Sequence, residues 1–232
     1  MDRFRAISPR LRLLIADDHV IFAETLKSYL EHAFTVVGVA SDGRMMIEKA
    51  LRTKPDVIIV DISMPILNGL DAARRIKEQA SAIKFIFLTM RDDPNLAAAA
   101  LELGPVAFIL KCASGSELLK AIDQVMNGKP YVTPKLRAED WVEAKNRAQQ
   151  FRKELTHRQR EIVQLFAEGR PMKEIADILL LSEKTVEFHK HHIMRAFNLR
   201  NNAELVLFAV KQGLISVDAQ TNVRCARDAR RS

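Results

Sequence analysis

Residues 57–69 read VIIVDISMPILNG. Four apolar residues, Val57 to Val60, run straight into Asp61, and the chain then turns at Pro65 and at Asn68-Gly69. A run this short and this rich in β-branched residues predicts a strand buried on both faces. An ionised carboxylate at the end of such a strand is costly to desolvate unless a cation or hydrogen-bond donors compensate it. Asp61 therefore needs partners from elsewhere in the chain.

Similar apolar runs stand at RLLIAD (12–17), TVVGVA (35–40), KFIFLT (84–89) and VAFIL (106–110). Between them the apolar residues recur at helical spacing: Phe22, Leu26 and Leu30; Met46, Ile47 and Ala50; Leu70, Ala73 and Ile76; Ala97, Ala100 and Leu101; Leu118, Leu119 and Ile122. Five βα units in succession predict an open parallel sheet with helices on both faces. In such sheets sites form beyond the carboxyl ends of the strands. Asp17, Asp61, Thr89 and Lys111 all stand at those ends.

The pattern changes after Gly128. GKPYVTPKL carries two prolines and is expected to end the sheet domain, so residues 11–128 form one domain behind a short extension, 1–10. Residues 129–153 read as a linker containing a charged helix with one narrow apolar stripe: Trp141, Ala144, Ala148 and Phe151. From 154 to 217 the text is all helical, and the polar, basic tail 218–232 is expected to be disordered. Residues 1–130 hold 17 Lys and Arg against 16 Asp and Glu, whereas 131–232 hold 19 against 13. The second half is thus the candidate for a polyanionic partner. No apolar run reaches a membrane span, and MDRFRAISPR lacks the apolar middle of a secretory signal. Cys112 and Cys225 alone make no disulfide framework, so a cytoplasmic location is expected.

Folding the five units brings Asp17 and Asp18 beside Asp61. Three carboxylates repel one another and call for a hard divalent cation such as Mg²⁺. Lys111 adds a positive charge and Thr89 a hydroxyl, a set suited to a phosphoryl group. Here IADDH, DISMPILNG, FLTM and FILK resemble the receiver domain of two-component response regulators, a flavodoxin-like (βα)5 fold. The resemblance implies that Asp61 is the phospho-acceptor. It also implies that Asp17, Asp18, Asp61 and the Ser63 carbonyl hold Mg²⁺, that Lys111 and Thr89 contact the phosphoryl group, and that Phe108 is the switch aromatic. Pro105, and Cys112 in place of the proline that follows the lysine in many receivers, depart from common receiver sequences, and neither change undermines the pocket. A phosphohydrolase with an aspartyl-phosphate intermediate is the rival reading. Such enzymes carry a second Asp two residues after the nucleophile, where this chain has Ser63, so a persistent adduct rather than turnover is expected.

The helical half carries a second constellation. Ser182 is a good N-cap, with Glu183 and Thr185 in the first turn. At about 100° per residue, Val186, Ile193 and Phe197 fall within roughly 20° of one line, while Lys184, Phe188, His191 and Arg195 lie roughly 140–200° away. An outward Phe among cations suits a major groove, where apolar side chains meet thymine methyls. The block LTHRQREIV, Gly169, KEIA, LSEKTVEFH and GLI resembles the helix-turn-helix of the NarL/FixJ (LuxR-type) regulators. That implies a motif at 171–190, a recognition helix at 182–197, and DNA contacts from Lys184, Thr185, Glu187, Phe188, His191 and Arg195. It also implies pairing of two subunits on DNA through the last helix, with Val206 and Val210 as contacts. Pro171, Met172 and Ala196 depart from the family's usual residues. A solvated charged face and a metal site at HKHH are the blander alternatives, and only His189 and His192 are helix-spaced for the latter. The whole reads as a transcriptional response regulator served by a sensor histidine kinase, acting on double-stranded DNA as a homodimer, with RNA polymerase as a further contact and no membrane. A receiver used as a protein-interaction module with a degenerate helix-turn-helix is the alternative.

Overall fold

The computed structural model describes residues 10–91, 93–134 and 155–215. The chain divides into two compact units between Lys153 and Glu154. In the first, all five expected strands form: β1 (Arg12–Ala16), β2 (Thr35–Ala40), β3 (Val57–Asp61), β4 (Lys84–Thr89) and β5 (Ala107–Leu110). They make one parallel sheet in the order β2-β1-β3-β4-β5-β6. The sixth strand, β6 (Tyr131–Val132), corrects the expectation that the sheet ends at Gly128. Its amides bind the edge of β5: Tyr131 N–H donates to Val106 O at 3.1 Å and Thr133 N–H to Phe108 O at 2.9 Å. The Thr133 hydroxyl donates to Glu117 at 2.7 Å, tying the strand to the helix before it. Two residues between prolines carry no period to read, so only the long-range pairing reveals this strand.

Helices α1 (Val20–Leu30), α2 (Gly43–Thr53), α3 (Gly69–Gln79), α4 (Pro94–Leu101) and α5 (Gly115–Met126) follow the strands. Alternation along each strand sends side chains to two cores. Leu14, Ile58, Phe85, Phe87 and Phe108 pack with Met46, Ala73, Ile76 and Ala97 of α2, α3 and α4. Leu13, Ile15, Ile59, Ile86 and Ile109 pack with Leu26, Leu30, Leu118 and Ile122 of α1 and α5. Each such large side chain stabilises the unit by about 1.5–3 kcal/mol. Burial on both faces holds for β3 and β5 throughout, but the edge strand β2 is half-exposed along most of its length.

The second unit contains, among the described residues, α6 (His157–Ala167), α7 (Met172–Leu179), α8 (Glu183–Ala196) and α9 (Asn202–Lys211). Thr156 and Gln159 form a reciprocal capping box that starts α6, and Gly169, at φ +81°, lets the chain leave it. Val186 and Ile193 anchor α8: Val186 packs with Ile162, Ile175 and Leu179, and Ile193 with Val163, Leu205 and Ala209. Buried Glu161 accepts from Arg158 at 3.1 Å, and the same guanidinium donates to the Leu179 carbonyl, joining α6 to the end of α7. The expected linker helix with Trp141, Ala144, Ala148 and Phe151, the extension 1–9, the tail 218–232 and Cys225 lie outside the described residues.

Candidate functional site

Asp61 is the last residue of β3, and the loop after it is tightly constrained. Leu67 N–H donates to Pro65 O at 2.7 Å across Ile66, whose φ is +69°. A β-branched residue in this region costs about 1–3 kcal/mol and persists only where its surroundings impose it. Asn68 caps α3 by accepting from Asp71 N–H at 2.9 Å. A Cβ on Gly69 would overlap the Asp61 carbonyl, so only glycine lets α3 start this close to Asp61.

The pocket's charges are desolvated and interlocked. Lys111 Nζ lies 2.7 Å from both Asp17 Oδ2 and Asp61 Oδ2, with its side chain 6% exposed, and stands 4.9 Å from the Phe22 ring centre. Ser63 N–H donates to Asp61 Oδ1 at 3.0 Å. Burial pushes the Asp61 carboxyl above its usual range; Lys111 and the Ser63 amide pull it down and Asp17 repels it upward, the net being a rise. Burial also opposes charge on Lys111, but the carboxylates of Asp61 and Asp17 outweigh it and raise that ammonium.

The structure brings one further residue here. His19 Nδ1 lies 3.0 Å from Asp18 Oδ1, 3.2 Å from Asp17 Oδ1 and 3.9 Å from Asp61 Oδ2. Its place directly after the two acids was the only signal in the sequence. Two buried carboxylate oxygens, Asp17 Oδ2 and Asp18 Oδ1, accept no aligned hydrogen bond among the described residues, although Lys111 and His19 stand near them. Ligand atoms of Asp17, Asp18, His19 and Asp61 all lie within 4.8 Å of one another. Buried carboxylate oxygens clustered in this way fit a hard divalent cation. The buried Thr89 hydroxyl accepts from Arg91 N–H at 3.1 Å, and Lys111 N–H donates to Thr89 O at 2.7 Å. Phe108 is wholly buried in the core beside Phe87.

On α8, Ser182 accepts from Thr185 N–H at 3.2 Å, as expected of an N-cap. Lys184, Glu187, Phe188, His191 and Arg195 are exposed, opposite the buried Val186 and Ile193. Thr185 is different: half-buried, with its hydroxyl 2.8 Å from Ser182 Oγ in the cap. Phe188, 67% exposed, lies near His192 in a stacked arrangement, ring centres 6.3 Å apart, and meets His189 edge-on. On α9, Val206 and Leu207 are exposed and Val210 half-buried.

A parallel sheet with an acidic pocket at its carboxyl edge, followed by a helix-turn-helix, defines a receiver-type regulator. Comparison with known proteins agrees. The family described as "Response regulator receiver domain" matches residues 13–123, and "Bacterial regulatory proteins, luxR family" matches residues 153–209. Oxygen regulatory protein NreC of Staphylococcus carnosus is 37% identical over 216 residues, 88% of this chain and 99% of that protein. NreC of Staphylococcus epidermidis is 36% identical over the same shares. RcsB of Salmonella enterica serovar Typhimurium, solved bound to promoter rprA with the phosphomimetic BeF3⁻, has a TM-score of 0.58 at 27% identity, covering 86% of this chain and 98% of that one. RcsB solved as two dimers on two parallel DNAs gives 0.51 at 28%, covering 86% and 97%. The chain belongs to the NarL/FixJ family of two-component response regulators, phosphorylation-dependent DNA-binding proteins. None of its described helices is long and apolar enough to cross a membrane.

Proposed function

We propose that Asp61 is the phospho-acceptor of this regulator, served in the cytoplasm by a sensor histidine kinase. The observation that carries the reading is the Lys111 ammonium held 2.7 Å from both Asp17 Oδ2 and Asp61 Oδ2, with the buried Asp18 Oδ1 beside them accepting no hydrogen bond among the described residues. An Asp61 oxygen attacks phosphorus as the donor's P–N bond breaks, and the imidazole leaves. Lys111 then exchanges a carboxylate partner for a phosphoryl oxygen, which needs little movement of the ammonium. Asp17, Asp18, Asp61 and the Ser63 carbonyl would hold Mg²⁺, which supplies charge neutralisation between acids and phosphoryl oxygens. Thr89 would turn its hydroxyl toward the adduct, and Phe108 would repack in response, changing the face of α4, β5 and α5. Ser63 offers no efficient proton transfer to water, so the adduct persists and the chain is a switch rather than a turnover enzyme.

In the second unit, α8 would enter the major groove of promoter DNA, with Lys184, Thr185, Glu187, Phe188, His191 and Arg195 as contacts. The RcsB relatives, solved as dimers on DNA and as a DNA complex, support a homodimer on DNA. Val206 and Val210 of α9 would lie in that interface, and RNA polymerase would be met by the bound dimer. Phosphorylation shifts this equilibrium only through contacts that differ between the two states. The test is a gel shift on the protein's own promoter region, with and without acetyl phosphate. Tighter specific binding after phosphorylation supports the reading; no specific binding in either state favours a protein-interaction module.

A further inference from the structure

We propose that Glu187 and Phe188 define one base step of the site this protein reads: a cytosine N4 amino group facing Glu187, next to a thymine methyl beneath Phe188. The proposal rests on α8 being the groove-entering helix. Beyond the first turn of α8, Glu187 is the only acid, set among Lys184, His191, His192 and Arg195. Near a polyanion a carboxylate loses affinity wherever it meets phosphate, and gains it only against an N–H donor.

The major-groove edges present few such donors. Guanine shows two acceptors and thymine one, while adenine sets its N7 acceptor beside the N6 amino group. Cytosine alone offers an amino group with no acceptor of its own alongside. The Glu187 carboxylate is available for that contact. Its Oε1 lies 3.8 Å from His191 Nε2, beyond hydrogen-bonding distance, and both side chains are more than half exposed. The imidazole thus stands beside the acid without capping it.

Phe188 is the neighbouring residue, about 100° further round the helix and thus aimed at an adjoining base pair. Its ring stands out from the surface, with His189 meeting it edge-on and His192 stacked near it. A propped, exposed aromatic ring among cations matches the one apolar group in the groove, the thymine C5-methyl. Lys184 and Arg195 flank the pair on the same face and suit phosphates, which position the helix without naming a base.

Selection from a randomised duplex pool tests this, using the full chain treated with acetyl phosphate. The wild type should enrich a motif containing cytosine and thymine within one base step. Changing that cytosine pair should lower affinity by roughly 10-fold. Glu187→Gln should move the cytosine position toward adenine and Glu187→Lys toward guanine, other positions unchanged, while Phe188→Ala should lose only the thymine. The same motif in all Glu187 variants, with affinity raised uniformly, overturns the proposal and leaves DNA reading intact. A wild type that enriches no motif overturns both. Circular dichroism checks the fold of each variant; all three substitutions are at exposed positions.

Discussion

Asp17 and Asp61 are 2% and 3% exposed and Lys111 lies against both, whereas Phe188 on α8 is 67% exposed and the carboxylate of Glu187 accepts no hydrogen bond among the described residues. The sheet unit has desolvated its functional charges in advance, so their chemistry shows in how they perturb one another. The helical unit leaves the outward face of α8 in water. Its own buried charge, Glu161, is spent on holding α6 to α7 through Arg158. Buried Glu161 thus serves architecture, as buried Asp71 does at the start of α3 through Arg74 and Asn68, whereas Asp17, Asp61 and Lys111 converge on one pocket.

The most severe way to break this contrast is Asp61→Asn. Incorporation of acid-labile phosphate from acetyl phosphate should fall more than about 100-fold, with near-UV circular dichroism unchanged, because a neutral amide is no nucleophile toward phosphorus. A variant that still labels would move the acceptor elsewhere. Next is Lys111→Met, which leaves Asp17 and Asp61 facing each other without their ammonium. The sheet unit should lose about 3 kcal/mol in urea melts at neutral pH. Mg²⁺ should restore more stability to the variant than to the wild type. Because the folded Asp61 carboxyl already titrates above its unfolded range, its ionised form is the one the fold disfavours. The penalty should shrink as pH falls through that raised value and the acid takes up a proton.

Two smaller effects sharpen the other side of the comparison. Phe188→Ala should weaken specific DNA binding about 10-fold, with non-specific binding and thermal stability barely moved; equal losses on both kinds of DNA would reject a base contact. Leu180 ends α7 at φ +53° and is 91% exposed, so it strains the backbone while burying nothing. Leu180→Gly should stabilise the helical unit by about 0.5–1 kcal/mol in thermal melts.

Most of the sheet was readable because its strands are short apolar runs ending in polar residues, and Asp17, Asp61, Thr89 and Lys111 mark those ends directly. What escaped has a common physical cause. The two residues of β6 have no period, and their pairing with β5 is set by the α5 crossover. His19 reaches the acids through an Asx turn, its N–H donating to Asp17 Oδ1 at 2.9 Å, and apolar periodicity does not register such a turn. The positive φ of Ile66 contradicts that residue's own preference, since the surrounding loop imposes it. On α8 the helical period separated Val186 and Ile193 from the exposed face correctly. It could not show that the Thr185 hydroxyl turns back to Ser182.

The short β6 has a practical consequence for anyone dissecting the protein. A sheet unit expressed alone and truncated at Gly128 would strip the amide partners from Val106 and Phe108, baring the flank of β5 next to its own aromatic core. Such an open flank recruits strands from neighbouring molecules, so the shortened fragment would self-associate for reasons unrelated to signalling. Ending the fragment beyond Thr133 would keep the flank closed, and any pairing then measured would belong to the regulator itself.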